Sequence, residues 1–404
     1  MVKTTAYDWW QRPDLCYHDQ QLQFNGRSVE TLAAQLGTPS FVYSARRVQE
    51  NLARLKQALD TSGLGDRSTL FYAMKANRYA PLLTLIKQTG LCGIDACSPR
   101  EVEHAISCGF SPSDISFTAT SLSQQDYASL ARYDGMSMTC DSQHAIHSWG
   151  KLKPGASIGI RVNPAIGIGR ASNDKLQYAG GITTKFGIYR EQFREALDIA
   201  NQYDLTVSKI HFHTGCGYLT PQLEQLDRVI EQCQWFINTA GDVTRVNVGG
   251  GLGVPHLADD GLLDLQQWTA ILNKHFAANN LHLEVEPGDY LVKDAGLLLV
   301  SKTYVEKKQE TTFVGVNAGF NIAPEPAYYG LPFQPVPLRW DHSNITPVNV
   351  VGNINEALDV WYENAELPDL TDHDYLAFIN AGAYSASMAS NHCMRGEFKE
   401  FLLT

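Results

Sequence analysis

From about Phe41 to Glu286, short apolar runs alternate with amphipathic stretches, the pattern of a parallel sheet whose strands are joined by crossover helices. Strands are predicted at Ser40–Tyr43, Thr69–Ala73, Gly93–Ala96, Ile115–Thr118, Ser137–Thr139, Ser157–Val162, Lys209–Thr214, Arg245–Val248 and His282–Glu286. Between them, apolar residues recur at helical spacing in Ala45–Leu59, Pro81–Thr89, Pro99–Cys108, Arg190–Gln202 and Pro221–Thr239. About eight such repeats predict a (β/α)8 barrel over residues 41–290, an architecture that carries its chemistry at the C-terminal ends of the strands.

The pattern then changes. Leu297–Lys307, Thr312–Val316, Val348–Val351 and Tyr375–Ile379 read as strands separated by turn-forming sequence. Together with the first 40 residues, which do not fit the barrel, residues 291–404 predict a β-sandwich or β-barrel domain.

Composition narrows the function. A chain of 404 residues supports two domains. No run approaches the length of a membrane-spanning helix, and Asp8, Arg12 and Asp14 interrupt any signal-peptide-like start, so a cytoplasmic protein is expected. Eight scattered cysteines without CxxC spacing suggest reduced thiols rather than a disulfide framework or a metal site. A net charge of -11 argues against nucleic acid or an anionic membrane as partner and leaves a small molecule.

Four segments carry candidate chemistry. FYAMKANRY ends an apolar strand at Lys75, where desolvation would lower the amine's pKa and prepare it for imine chemistry, although a lysine leaving a strand can also be merely solvated. HFHTGCG sets His211 and His213 on one side of a strand. A ring stacked on a cofactor suits this pair better than a metal, because no third ligand stands at a supporting spacing, but two hydrogen-bonded core histidines would look the same. VNVGGGLG, with Gly249, Gly250, Gly251 and Gly253, allows backbone N–H groups to approach a phosphate, or forms only a tight turn. LEVEPGDYLV places Glu286 at a strand end, where a carboxylate can hold a protonated pyridine nitrogen and keep it a strong electron sink.

FYAMKAN, RVNP, TKFGI, HFHTG, NVGGGLG, EPG and GAYSASMASN stand in the order and spacing of the fold-type III decarboxylases, and the chain resembles this diaminopimelate and ornithine decarboxylase family from about Tyr43 to Asn391. The resemblance implies pyridoxal 5'-phosphate bound covalently through Lys75, His213 stacked on its ring, Glu286 on its nitrogen and Arg161 near its hydroxyl. It further implies that Gly250, Gly251, Gly288, Cys216 and Tyr384 lie around the phosphate. Cys216 stands where a serine is usual and is a weaker donor. Head-to-tail homodimers with shared active sites, completed by the β domain's C-terminal segment from the partner, are also implied.

Departures from the family bear on substrate. In GNINEALD, Asn355 stands where the diaminopimelate enzymes carry cysteine, while Glu356 survives as a catalytic and substrate-contacting candidate; Cys393 is a possible substitute thiol or an inert one. The family's EPGR arginine is Asp289 here, and a second arginine reads as Glu325, with Tyr329 retained as a substrate contact beside Tyr384. Both arginines resemble residues that grip the distal carboxylate of diaminopimelate, so the reversals of sign would repel it and attract a cation. Alternatively, both acids pair locally, with Lys293 or Arg395. The expected activity is decarboxylation at Cα of an amino acid with a basic or modified side chain. A racemase, or a non-catalytic regulator resembling the decarboxylases, would share most of these motifs.

Overall fold

The computed structural model describes residues 9–169, 180, 182–213, 215–340, 344–370 and 375–404. The chain divides into two compact units, one formed by residues 51–253 and 262–288, the other by residues 1–50, 254–261 and 289–404.

The first unit is a closed parallel barrel. Its strands are β1 (Ser68–Ala73), β2 (Cys92–Ala96), β3 (Ile115–Ala119), β4 (Ser137–Cys140), β5 (Ser157–Asn163), β6 (Thr206–His211), β7 (Arg245–Asn247) and β8 (His282–Val285). Each pairs in parallel with the next, and β8 closes the ring on β1 through Glu284 opposite Thr69. Four of the helices between the strands start at side-chain caps. Ser98, Ser123 and Ser142 accept from the backbone N–H groups of Glu101, Asp126 and Ala145, and Asp264 caps Leu265–Phe276. The helix Leu223–Ala240 buries Leu226, Val229, Ile230, Cys233, Phe236 and Ile237, an apolar stripe at intervals of three and four residues. Strand β6 stops at His211, short of the predicted Phe212 and His213, while the predicted end at Thr214 lies outside the described residues; beyond the strand the Phe212 amide bonds to the Asn247 carbonyl.

The second unit is β-rich. Gly296–Lys308 is its long central strand, flanked by Tyr375–Phe378 and Thr311–Val316, and the sheet continues through Thr346–Val351 to Val360–Leu367 and, on the other side, to Pro335–Pro337. Ser40–Ser44, read from its apolar pattern as a barrel strand, pairs instead antiparallel with Gly296–Leu299 and parallel with Lys399–Leu403. All five of its residues are buried, as in a barrel strand, so hydrophobicity alone could not distinguish the two settings. A three-stranded sheet, Leu15–His18, Gln21–Phe24 and Arg27–Ser28, belongs to the same unit. The core of that unit joins Trp10, Leu15, Leu22, Phe24, Val29, Leu32, Val42, Leu297, Leu299, Val336, Ala377, Ile379 and their neighbours. No helix among the described residues is long and apolar enough to cross a membrane.

Candidate active site

Strand alternation determines what fills the barrel. On β6 Lys209 and His211 share a face, on β7 Arg245 and Asn247, and on β8 Glu284, with Glu286 two residues further along the chain. These side chains meet across the ring. The Asn247 amide donates to Glu286 Oε1 at 2.6 Å and to Glu284 Oε2 at 3.2 Å. His211 Nε2 lies 3.2 Å from Glu286 Oε2, and Ser116 on β3 donates to Glu286 Oε1 at 3.4 Å. Burial opposes the charge of Glu286, but His211, then Lys209 and Lys75, outweigh it and hold the carboxyl well below the usual range.

Lys75 follows β1 in the turn Met74–Ala76 and is exposed, while its neighbours from Leu70 to Asn77 are buried. The Ala73 N–H bonds to the Pro287 carbonyl, which brings the end of β1 beside the Glu286–Gly288 segment. Desolvation pushes the Lys75 amine down, but Asp95, followed by Cys97, Cys216 and Glu286, pushes it further up, so its pKa is raised. The expectation of a lowered pKa fails because the lysine stands among acidic groups whose attraction outweighs its desolvation. Asp95, buried on β2 beside Glu286, is driven well above the usual carboxyl range by desolvation and then by Glu286, with Lys75 opposing.

His213 sits in the loop after β6. Burial, then Lys75, Arg161 and His211, drives its pKa well below the usual imidazole range, so the ring is neutral near pH 7. Its Nδ1 accepts from the Gly250 N–H at 3.3 Å, and its Nε2 lies 3.7 Å from Cys216 Sγ. Arg161, buried on β5, stacks its guanidinium 4.6 Å from the centre of the Phe186 ring, in the TKFGI segment. The glycine run has a packing cause of its own. A Cβ on Gly250 would come within 2.1 Å of the Glu286 carbonyl oxygen, and one on Gly251 within 2.2 Å of the Gly215 oxygen, so these loops approach more closely than any side chain permits.

In the β unit, Lys293 is fully buried and its ammonium reaches both oxygens of Glu325 at 2.5 Å and Asp289 Oδ1 at 3.5 Å. The Asp289–Lys293 spacing works because Asp289–Val292 forms one helical turn. Both acids therefore share Lys293 as a local cation. Desolvation opposes the charge on Lys293, but the two acids more than offset it. The Tyr384 ring stands 5.9 Å from the same ammonium. Tyr329 is half-buried in the helix Glu325–Tyr329, and Gly288 is buried. Glu356 is exposed, 3.4 Å from His392; Asn355 and Cys393 are exposed as well.

Sequence reading singled out Lys75, Arg161, His213, Cys216, Gly250, Gly251 and Glu286, all of which fall in the barrel unit. It passed over Asp95, Ser116, Lys209, Asn247 and Glu284. The signal was available in the period-two polar residues of KIHFH, RVN and EVE, whose alternate members line one face.

The arrangement provides an amine, a carboxylate held ionised, a neutral planar ring and glycine-lined loops, a donor set suited to a phosphorylated pyridine aldehyde. Among the described residues, buried polar atoms in the barrel without a hydrogen-bond partner, Asp95 Oδ1, Thr118 Oγ1 and His211 Nδ1 among them, fit a polar occupant.

Comparison with known proteins agrees. Residues 45–293 match the family described as pyridoxal-dependent decarboxylase, pyridoxal binding domain. Diaminopimelate decarboxylase of Methanothermobacter thermautotrophicus is 31% identical, over 97% of this chain and 92% of its own. The enzyme of that name from Escherichia coli K12 is 30% identical, over 92% and 90%. The crystal structure of Helicobacter pylori diaminopimelate decarboxylase complexed with L-lysine superposes with a TM-score of 0.83 at 26% identity, covering 93% of this chain and 94% of that one. The arginine decarboxylase of Paramecium bursaria Chlorella virus shares the fold, with a TM-score of 0.80 at 21% identity over 93% of this chain and 99% of that one. With this family match and these relatives, the chain belongs to the pyridoxal-dependent decarboxylases, carboxy-lyases whose cofactor is pyridoxal 5'-phosphate.

Proposed function

We propose that this enzyme releases the Cα carboxylate of an amino acid with a basic or modified side chain, and that diaminopimelate is not its substrate. The observation that carries the substrate reading is the Lys293 cluster. It sets two carboxylates, Asp289 and Glu325, around one buried ammonium, at the two positions where the resemblance would place arginines. A distal carboxylate meeting this cluster would be repelled and left without a partner, whereas a cationic or amide-bearing head group would be accepted.

Within the barrel, Lys75 would hold the cofactor covalently, His213 would stack on its ring, Arg161 would lie near its hydroxyl, and Glu286 would keep its nitrogen protonated. Gly250, Gly251, Cys216, Gly288 and Tyr384 would surround the phosphate. When bound, pyridoxal phosphate supplies the electron sink for the charge left at Cα. Lys75, with its pKa raised, would carry the proton that this carbon needs. Tyr329 and Glu356 would contact substrate, Glu356 from the neighbouring copy in a homodimer with shared sites.

The test is carbon dioxide release from D- and L-amino acids, including lysine, ornithine, arginine, diaminopimelate and side-chain-acylated diamino acids. Release from a basic or acylated member and none from diaminopimelate is expected. Comparable turnover of diaminopimelate would overturn the substrate reading, and loss of optical activity without carbon dioxide would overturn the reaction. Shared sites predict that mixing inactive Lys75→Ala and Glu356→Gln proteins restores activity.

A further inference from the structure

We infer that the buried Lys209–Glu284 pair is a positioning device for Glu286, fixing the orientation and charge of that carboxylate from inside the barrel through Asn247 and Ser116. The inference rests on the reading above, in which Glu286 meets the cofactor's ring nitrogen.

Lys209 has no exposed surface. Its Nζ donates to Ser137 Oγ at 2.8 Å, to Glu284 Oε2 at 3.1 Å and to Ser116 Oγ at 3.5 Å, so it ties β6 to β4, β8 and β3. Two of these partners continue to Glu286. Ser116 donates to Glu286 Oε1, and the Asn247 amide bridges Glu284 Oε2 and the same Glu286 oxygen. The two hydrogens of one amide thus hold two carboxylates at a fixed separation, and Lys209 neutralises the deeper one.

Stability does not account for this arrangement. Burying an ammonium and a carboxylate costs about as much as their attraction returns, and apolar residues of similar volume commonly serve as well or better. The barrel also yields space to it. Gly159 is the register partner of Lys209 on β5, and a Cβ there would stand 2.7 Å from Lys209 Cε and 2.9 Å from Thr139 Oγ1. A glycine inside a strand weakens it, so the lysine stem is accommodated at a second local cost. Two costs borne at one point, joined by hydrogen bonds to the functional carboxylate, indicate a role in chemistry.

The charged and titratable groups facing Glu286 are Lys75 after β1, Asp95 on β2, Lys209 and His211 on β6, His213 in the loop beyond, and Glu284 on β8. Removing the Lys209 charge leaves Glu284 with Arg245, at 3.5 Å, as its remaining cation and surrounds Glu286 with negative charge. Removing the Glu284 charge does the reverse. Opposite displacements from the two ends of one ion pair are a signature that a purely structural pair would not give.

The experiment uses the cofactor-loaded protein and follows the absorbance of the bound cofactor, and its release, as pH falls. Lys209→Met should raise the acid midpoint of release by about one pH unit, the scale of a lost neighbouring charge. Glu284→Gln should lower it, and Lys209→Arg should return it most of the way to wild type. Midpoint and spectrum unmoved in Lys209→Met overturn the inference, whatever the change in stability. If that variant does not fold, an unmoved midpoint in Glu284→Gln overturns it equally. Glu286→Gln separates the two readings. A wild-type spectrum and midpoint there would remove the assignment of Glu286 itself, whereas a changed Glu286→Gln beside unchanged Lys209→Met and Glu284→Gln would remove only the positioning role.

Discussion

Inside the barrel, Lys209, His211, Asn247, Glu284 and Glu286 are buried nearly as completely as the core of the β unit, where Trp10, Leu15, Leu22, Phe24 and Leu297 lie together. One interior is held by charge-assisted hydrogen bonds with particular partners, the other by apolar area that any well-shaped neighbour can cover. The first loses its purpose when a single group changes and the second loses stability in proportion to the volume removed. Equal burial therefore says little about how an interior responds to substitution, and the contrast can be tested from both sides.

The largest effect should come from Lys75→Ala. Activity is expected below ~10^-3 of wild type, the scale of removing a catalytic group, with no covalently held chromophore. Next, Phe24→Ala should cost about 3–5 kcal/mol in chemical denaturation, the range for emptying a fully buried aromatic site. Shape-conserving swaps sharpen the comparison. Phe24→Leu should cost less than about 1.5 kcal/mol, whereas Asn247→Leu, similar in size, should cost about 3 kcal/mol or more by removing the amide donor shared by two buried carboxylates and should abolish cofactor retention. If the two leucine variants behave alike, the contrast between the interiors is wrong.

A smaller effect is the pH dependence of the ligand-free protein. His211 and His213 both have folded pKa values below the unfolded value of 6.5, so the unfolded chain binds more protons below that pH. Their contribution to stability is fully present above pH 6.5 and is lost as pH falls towards their folded values. The thermal midpoint should drop over that interval, and the drop should shrink in a His211→Asn, His213→Asn double variant. An unchanged slope would show that other groups dominate. The smallest effect is expected for Arg339→Ala, which breaks the exposed bidentate pair with Glu30 and should change stability by no more than about 1 kcal/mol.

Much of this was legible in the sequence, for identifiable reasons. Barrel strands such as Cys92–Ala96 and Ile115–Ala119 are short, largely apolar runs followed by capped helices, a local signal. Lys75, Glu286 and the glycine run were legible because each stands immediately after such a strand. Ser40–Ser44 was misplaced because a strand buried in a mixed sheet has the same composition as one buried in a barrel, and its partners lie more than 250 residues away. The pairing of Lys293 with Asp289 and Glu325 could be named only as an option, since it depends on a single helical turn where the sequence showed a strand end and a Pro-Gly. Lys209 and Glu284 were missed for a different reason. Polar residues alternating within a strand are usually read as a solvated face, and only a closed barrel turns that face inward.

The placement of Ser40–Ser44 between Gly296–Lys308 and Lys399–Leu403 bears on the order in which the protein is made. The strand leaves the ribosome early, yet its two hydrogen-bonded neighbours arrive about 250 and 360 residues later. Throughout synthesis of the barrel segment it waits as an apolar ribbon with both edges open, the condition in which strands pair with the wrong chain. The final five-residue strand closes one of those edges. Shortening the chain by that strand should therefore reveal itself first as nascent protein captured by chaperones or lost to aggregation, before any question of catalysis arises.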